Sequence, residues 1–183
     1  MAGYVTSADT GNEDLVITSR AALVEFCLKS ETNLNLIGNT LLHNLTTYQA
    51  DDRVLVPTLE IVAFLFNTGL LQRSADMNLK ALCLQTQKAG YKSGNVRKLL
   101  ACVKVYSGVA ATDVSLKVRD PGVLEARKRL GALMLHPWPR VRSAVIDELW
   151  GLSGDDGEIL TGVDWGAAEK GKITSMVQTL QFA

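Results

Sequence analysis

Three short segments of the sequence resemble one another and recur at nearly equal intervals. Each stands at the start of an apolar run with helical spacing: Arg53-Val54, Val96-Arg97 and Val141-Arg142. Their arginines are 44 and 45 residues apart. This interval is typical of HEAT and armadillo repeats, in which each unit is a helix pair that cannot bury its apolar face alone. The spacing predicts about three stacked helical hairpins. A non-repetitive helical bundle, in which the intervals are fortuitous, is the alternative, and both are all-α.

The segment 136–150 carries the clearest hairpin signal. Pro137 and Pro139 fit the first turn of a helix but not its interior, so a helix is predicted to begin near Pro139. Apolar residues then follow at spacings of three and four: Val141, Ala144, Val145, Leu149 and Leu152. Because a leucine-rich helical segment ends just before His136, the chain is predicted to turn sharply and fold back as a hairpin.

The same signals divide the chain. Residues 1–13 are small and polar, and we predict that they are poorly ordered. Residues 14–183 are predicted to form one HEAT-like α-solenoid domain, with a first helix to about residue 29, hairpins at 33–67, 74–108 and 123–152, and a closing helix at 164–181. The fold class is therefore an all-α, HEAT/armadillo-like superhelical stack of about three hairpins with an extra helix at each end.

Polar residues before the apolar runs predict the helix caps, and glycines and acids predict the intervening loops. The predicted caps of three later helices are Thr32 or Asn33, Ser74 and Asp164. The first helix is predicted to be capped by Asp14 or one of its neighbours. A short helix is predicted at 114–119. The acids at 153–158 lack the alternation of an EF-hand and predict a solvated loop.

Composition excludes several classes of partner. Lys plus Arg and Asp plus Glu both number 19, so no net positive charge favours nucleic acid. The longest apolar run, 61–66, is too short to span a bilayer, and the N-terminus does not resemble a secretory signal. The cysteines Cys27, Cys83 and Cys102 form no C-x-x-C pair and predict buried, unpaired thiols in a reducing, cytoplasmic compartment.

The sequence predicts no enzyme, because it contains no recognisable catalytic, phosphate-binding or metal-ligand motif. No cofactor or metal is expected. His136 is predicted to hydrogen-bond a carbonyl of the hairpin turn. Trp138, Arg140 and Trp150 are candidate protein contacts, since tryptophan and arginine are enriched at interface hot spots, whereas Trp165 is expected in the core.

Three tracts of the chain resemble the C-terminal region of the tubulin-folding cofactor D family over roughly residues 33–181. These tracts are Asp52-Arg53-Val54-Leu55-Val56-Pro57-Thr58-Leu59, Leu133-Met134-Leu135-His136-Pro137-Trp138-Pro139-Arg140-Val141-Arg142-Ser143 and Asp164-Trp165. The resemblance implies a cytoplasmic, cytoskeleton-associated HEAT scaffold that binds β-tubulin. It also implies that the scaffold works with other tubulin-folding cofactors and an Arf-like small GTPase in assembling and disassembling the αβ-tubulin dimer.

The family also implies participation in stimulating GTP hydrolysis by tubulin, and its members are longer, so we expect this chain to be a C-terminal piece. Arg142 is expected to pack along its hairpin and satisfy turn carbonyls or an acid, so the piece alone is predicted neither to bind GTP nor to accelerate hydrolysis. A generic HEAT adaptor with no tubulin role is the competing function, and an enzyme on a helical bundle is a third.

One departure from the general HEAT pattern is visible. Many such repeats carry an aspartate six residues before the arginine, and the two form a ladder between repeats. Here Thr47, Tyr91 and His136 stand at that position. The ladder is therefore not expected in its usual form.

Overall fold

The computed structural model describes residues 13–112 and 120–180, apart from the side chains of residues 13 and 153–156. Eight α-helices lie in these residues: α1 Glu13–Lys29, α2 Glu31–Thr47, α3 Asp52–Asn67, α4 Leu79–Gly90, α5 Val96–Ala110, α6 Pro121–Leu133, α7 Pro139–Ser153 and α8 Lys170–Thr179. Short 3-10 helices occupy Leu71–Arg73 and Gly154–Leu160. The predicted N-terminal segment, apart from residue 13, and the predicted helix at 114–119 lie outside the described residues.

The helices form two layers. Helices α2, α4 and α6 pack side by side in the first layer, and α3, α5 and α7 do so in the second. Each first-layer helix is followed in sequence by a second-layer helix, which is the arrangement of hairpins in a HEAT-like stack. This confirms the all-α, HEAT-like fold class, while the assignment of residues 14–183 to one domain stays a prediction.

The three repeated arginines stand at the starts of the second-layer helices, as predicted. Arg53 and Arg97 are the second residues of α3 and α5, and Arg142 is the fourth residue of α7. Their side chains nevertheless do different things. Arg97 reaches Glu60 on α3, whereas Arg142 donates to backbone carbonyls. The repeat therefore fixes the position of these residues but not their partners.

The core runs continuously through both layers. Its fully buried side chains include Leu41 of α2, Leu59 of α3, Leu82 of α4, Leu130 of α6 and Leu149 of α7. Burying side chains of this size stabilises the fold by about 1.5–3 kcal/mol each relative to exposure, so the apolar stripes and not the loops hold the stack together.

Several helix starts differ from the sequence predictions. Ser30, and not Thr32 or Asn33, caps α2 by accepting a hydrogen bond from the Asn33 N–H. Helix α4 begins at Leu79, later than the predicted start of the second hairpin at 74, because Asn78 caps it. The Ser74 hydroxyl instead donates to Asn35 Oδ1 over 2.7 Å. This difference from the prediction has a tertiary cause, because the Ser74 hydroxyl is bonded to a residue of the preceding hairpin instead of capping α4.

The C-terminal region also needs correction. The segment predicted as a solvated loop contains the 3-10 helix Gly154–Leu160, and Leu160 is buried. Asp164 caps a turn rather than the closing helix, because its Oδ1 accepts from the N–H groups of Gly166 and Ala167. The closing helix α8 therefore begins at Lys170, six residues later than predicted.

Helix α1 lies at one end of the stack and packs against α2. Leu23 and Cys27 face the core, while Leu15, Ile17 and Leu28 are exposed. A terminal helix of a repeat array normally presents a polar outer face. The outer face of α1 is mixed instead, since Asp14, Thr18, Glu25 and Lys29 are exposed beside the apolar residues, and the helix stands where the sequence predicts it. Within the described residues, no helix is long and apolar enough to cross a membrane.

Candidate protein-contact site

The tip of the third hairpin is a rigid turn. The Trp138 N–H donates to His136 Nδ1 over 3.1 Å, and the two rings meet edge to face with centroids 5.3 Å apart. Because Pro137 and Pro139 fix the backbone on either side of Trp138, the indole is held at the protein surface. The prediction for His136 was wrong in its partner, since the ring accepts from a backbone N–H instead of bonding a carbonyl.

Arg142 holds this tip in place. Its guanidinium donates to the carbonyls of His136 (2.7 Å) and Pro137 (3.1 Å) in the tip. It also donates to the carbonyls of Trp165 (3.3 Å) and Gly166 in the turn before α8. The prediction that the Arg142 head satisfies turn carbonyls is confirmed, and one side chain joins two turns more than 20 residues apart in sequence. Burial, and then the charge of Arg142, lower the pKa of His136, so its ring is neutral near pH 7.

The turn before α8 is itself anchored by Trp165. Its indole is buried, as expected from the sequence, and Nε1 donates to the Leu160 carbonyl over 2.8 Å. The Lys172 ammonium lies 5.8 Å from the ring centroid. Asp164-Trp165 therefore serves as a structural pair, in which one residue shapes the turn and the other inserts into the core.

The solvent face of α7 extends from the tip along the helix. Arg140, Ser143, Asp147 and Trp150 are all exposed and follow one another at spacings of three, four and three. We call them the α7 stripe. Since a helix rises 1.5 Å per residue, Trp150 lies about 15 Å beyond Arg140. The structure thus brings Trp138 and Arg140 together at the tip and places Trp150 at the other end of the same face.

A groove across the second layer was not predicted. It has a volume of about 650 Å³ and opens beside α3, α5 and α7. Its lining mixes charged, polar and small residues with two phenylalanines: Arg20, Glu60, Ala63, Phe64, Phe66, Asn67, Gln72, Ala101, Lys104, Ser107, Gly108, Ala111 and Glu148. The sequence does contain a signal for this surface, because Glu60, Lys104 and Glu148 are each 44 residues apart.

The groups that could carry chemistry are dispersed or inert. In the part of the chain that the structure describes, no three His, Cys, Asp or Glu residues are placed to hold a metal ion. Burial raises the pKa of Cys83 and of Cys102 to about 12, so neither thiol supplies a nucleophilic thiolate near neutral pH. What the surface offers is therefore contact area and charge.

Comparison with known proteins identifies the family. A family model described as tubulin folding cofactor D C terminal matches residues 1–98. The chain belongs to this family. The matched residues include helices α1 to α4 and the start of α5, so the hairpin tip, the α7 stripe and Asp164-Trp165 lie beyond the match. No curated protein and no solved structure matches the chain.

The match to the cofactor D family and the repeat spacing are independent observations, and both point to the same kind of protein. The spacing predicts a helical scaffold, and the family is one of chaperone-like scaffolds rather than classical enzymes. The resemblance noted over residues 33–181 is thus supported for its first tract, which contains Asp52 to Leu59, by the match to residues 1–98.

Proposed function

We propose that the chain is a non-catalytic, protein-binding scaffold that binds β-tubulin. In this role it takes part, with other tubulin-folding cofactors and an Arf-like small GTPase, in assembling and disassembling the αβ-tubulin dimer in the cytoplasm and at the cytoskeleton. The observation that carries the proposal is the match of residues 1–98 to the cofactor D C-terminal family. The two-layered stack supports it, because solenoids of this kind bind proteins along extended surfaces.

Trp138, Arg140 and Trp150 are the proposed contacts. The indole of Trp138 sits on a tip that Arg142 and two prolines hold rigid, so little conformational entropy is lost on binding. Trp150 is about half exposed, at 51% of its area. Half of a standard protein interface covers about 800 Å², which is broad enough to include two residues about 15 Å apart. One partner surface can therefore cover the tip and the α7 stripe.

The proposed part in GTP hydrolysis is indirect. An arginine that acts on another protein's nucleotide must project from a flexible surface loop. Arg142 does not, since its donors are engaged by carbonyls of two turns. The chain by itself neither binds GTP nor changes hydrolysis by tubulin.

The test is a binding titration with purified αβ-tubulin. Trp138→Ala is expected to weaken binding about tenfold or more, as truncation of an aromatic hot spot does. Arg140→Ala and Trp150→Ala are expected to weaken it by smaller factors. Tyr91→Ala is the matched control, because Tyr91 is also an exposed aromatic residue that follows a helix in a hairpin turn.

The outcomes separate the two candidate functions. Binding that Trp138→Ala weakens and Tyr91→Ala does not would support both the function and the contact. If none of the three substitutions weakens binding, the contact with tubulin lies elsewhere on the stack. Failure of the wild-type chain to bind tubulin would favour the generic HEAT adaptor.

A further inference from the structure

The three second-layer helices carry charges of alternating sign on the side that lines the groove. Glu60 on α3, Lys104 on α5 and Glu148 on α7 are separated by 44 residues each, close to the 44 and 45 residues between the repeated arginines. All three line the groove of about 650 Å³. Because they lie on one side of neighbouring, packed helices, the three charges form a row across the helices. We call it the charge row.

One member of the charge row is already paired. Arg97 binds Glu60 through two hydrogen bonds of 2.7 and 2.9 Å. By contrast, neither Lys104 nor Glu148 forms an ion pair with another residue in the described part of the chain. Apart from Arg20, which covers the Phe64 ring at one end, and the paired Glu60, the groove therefore presents one positive and one negative side chain, on the neighbouring helices α5 and α7, to a partner that binds across it.

The floor and end of the groove favour a close approach by a partner. Ala63 and Ala101 contribute little side-chain volume where α3 and α5 meet, whereas the space beside Gly108 is taken by Phe66. At one end the Phe64 ring is covered by the Arg20 guanidinium, 5.0 Å from its centroid. Small residues between charged ones let apolar side chains of a partner enter while its charges meet the groove's charges.

The spacing of the charge row selects an α-helix as the partner. Packed helices lie about 8–10 Å apart, so Lys104 and Glu148 are separated by about that distance across the stack. In a helix, seven residues rise about 10 Å and return to the same face within about 20°. In an extended chain, three residues also span about 10 Å, but they point to opposite faces. Only the helix matches both the distance and the direction.

We propose that this groove binds an α-helix of another protein, lying across α3, α5 and α7. The helix carries an acidic residue facing Lys104 and a basic residue seven positions away facing Glu148, with small or apolar residues between them. The inference rests on the proposed function only in taking the chain to be a protein-binding scaffold. It does not require the partner to be tubulin.

The experiment uses designed helical peptides, so its failure is separate from a failure to bind tubulin. Three peptides share one alanine- and leucine-based sequence and differ only in two residues placed seven positions apart. These two residues are an acid and a base in the first peptide, two acids in the second and two bases in the third. Each is titrated against the wild-type chain, Lys104→Glu and Glu148→Lys. A fourth peptide, with the acid and base five positions apart, is the register control, because this spacing puts them on different faces.

The wild type is expected to prefer the acid–base peptide by about tenfold over the like-charged ones, since opposing a like charge costs binding free energy. Glu148→Lys makes both positions 104 and 148 positive, so this variant should prefer the two-acid peptide. Lys104→Glu makes both positions negative, so that variant should prefer the two-base peptide. The five-position peptide should bind the wild type weakly.

Two results would overturn the proposal. One is the absence of binding by all the peptides. The other is that the wild type and both variants rank the peptides in the same order of affinity, which would show that the charge row does not select the partner. Circular dichroism of each variant establishes that the charge reversals leave the fold intact, as expected for side chains at the surface of the groove.

Discussion

The two junctions between successive hairpins are built differently. At the first junction, between α2–α3 and α4–α5, Asp52 accepts from Lys98 at 2.5 Å and from Asn95 at 2.9 Å, and Arg97 binds Glu60. At the second junction, between α4–α5 and α6–α7, no ion pair crosses among the side chains that the structure describes. There, Gly122 of α6 meets the backbone of Leu79 and Lys80.

This difference shows how one repeat period can be maintained by unlike interactions. The polar ties of the first junction are partly exposed, and exposed ion pairs contribute about 0–1 kcal/mol each. They align the helices, and they tolerate substitution. Glycines let the helices pack closely at both junctions, because a Cβ on Gly108 of α5 would clash with the Phe66 Cβ of α3 at the first. At the second junction a Cβ on Gly122 would also meet backbone atoms of Leu79 and Lys80, which leaves less room for change. We expect the second junction to be the more sensitive to mutation.

The largest expected effect follows Gly122→Ala at the second junction. The added Cβ would lie 2.5 Å from Leu79 Cβ and 2.6 Å from the Lys80 nitrogen, and backbone atoms cannot move aside as a flexible side chain can. We expect a loss of about 3 kcal/mol in the free energy of unfolding, measured by urea denaturation. Gly151→Ala in α7 is the control, because nothing lies within 4 Å of its new Cβ.

The control variant is expected to gain stability, by about 0.5–1 kcal/mol, since alanine is the better helix former. Equal stability of Gly122→Ala and the wild type would show that the second junction adjusts easily. The contrast between the two junctions would then be wrong.

Arg142→Ala tests a third contact, which ties the α6–α7 tip to the turn before α8. Hydrogen bonds from a charged donor contribute about 1.5–3 kcal/mol, and the guanidinium serves four carbonyls. We expect a loss of about 2 kcal/mol and a melting temperature lower by about 4–8 °C. Arg140→Ala is the matched control and should change stability by less than about 0.5 kcal/mol.

The same variants address GTP hydrolysis. Phosphate release by tubulin is expected to be unchanged by the wild-type chain and by Arg142→Ala. Stimulation by the wild type that Arg142→Ala abolishes, at unchanged stability, would contradict the structural role of Arg142.

Sequence patterns predicted the hairpins well because an arginine recurs near the start of each second-layer helix, at the spacing of the repeats. They predicted the caps less well. Around residue 30 several side chains can cap, and Ser30 rather than Thr32 does so, by a local bond from the Asn33 N–H. Ser74 has the right chemistry for a cap, but its hydroxyl is bonded to Asn35, which lies 39 positions away in sequence. The bond of Ser74 is a tertiary contact, which local spacing does not contain.

The candidate site was predicted only in part, for a similar reason. Trp138 and Arg140 could be proposed as contacts because proline and tryptophan stand out in a short segment. The groove was missed because Lys104 and Glu148 are ordinary surface residues within their own helices, and become related only when helices are aligned at 44 residues. Glu60, which binds Arg97, likewise lies on the preceding hairpin, so spacing within α5 does not point to it.

A smaller effect is expected at the first junction from Asp52→Asn. Hydrogen bonding by Lys98 is the main cause that lowers the pKa of Asp52 below its ordinary value. The pair therefore contributes its full stability above the unfolded-state pKa of about 3.9, and the contribution is lost as the pH falls through the lower folded-state value. We expect Asp52→Asn to cost about 0.5–1 kcal/mol at pH 7.

This cost should shrink when the pH falls below about 3.9 and when salt is raised, because protonation removes the charge and salt screens it. Urea denaturation of both proteins across pH and salt measures the difference. A cost that is the same at pH 3 and pH 7 would mean that the charge of Asp52 does not matter to the first junction.

The smallest effect concerns the thiols, one of which lies at the second junction. Cys83 donates to the Gly122 carbonyl over 3.5 Å at the second junction, and Cys102 donates to the Thr86 carbonyl over 3.6 Å within the second hairpin. All three cysteines are buried and unpaired, as the sequence predicts, and burial also raises the pKa of Cys27. Labelling by a thiol reagent at pH 8 therefore requires the structure to open.

We expect Asp52→Asn to change the labelling rate of Cys83 by no more than about fivefold, because 1.4 kcal/mol corresponds to tenfold and the pair contributes less. Gly122→Ala should accelerate the labelling of Cys83 about a hundredfold. If the second junction opens by itself, this variant should accelerate the labelling of Cys83 more than that of Cys27. Mass spectrometry of each labelled cysteine gives the rates. Equal acceleration of Cys83 and Cys27 by Gly122→Ala would show that the junctions open together, and a disulfide in freshly purified protein would contradict the unpaired state of the thiols.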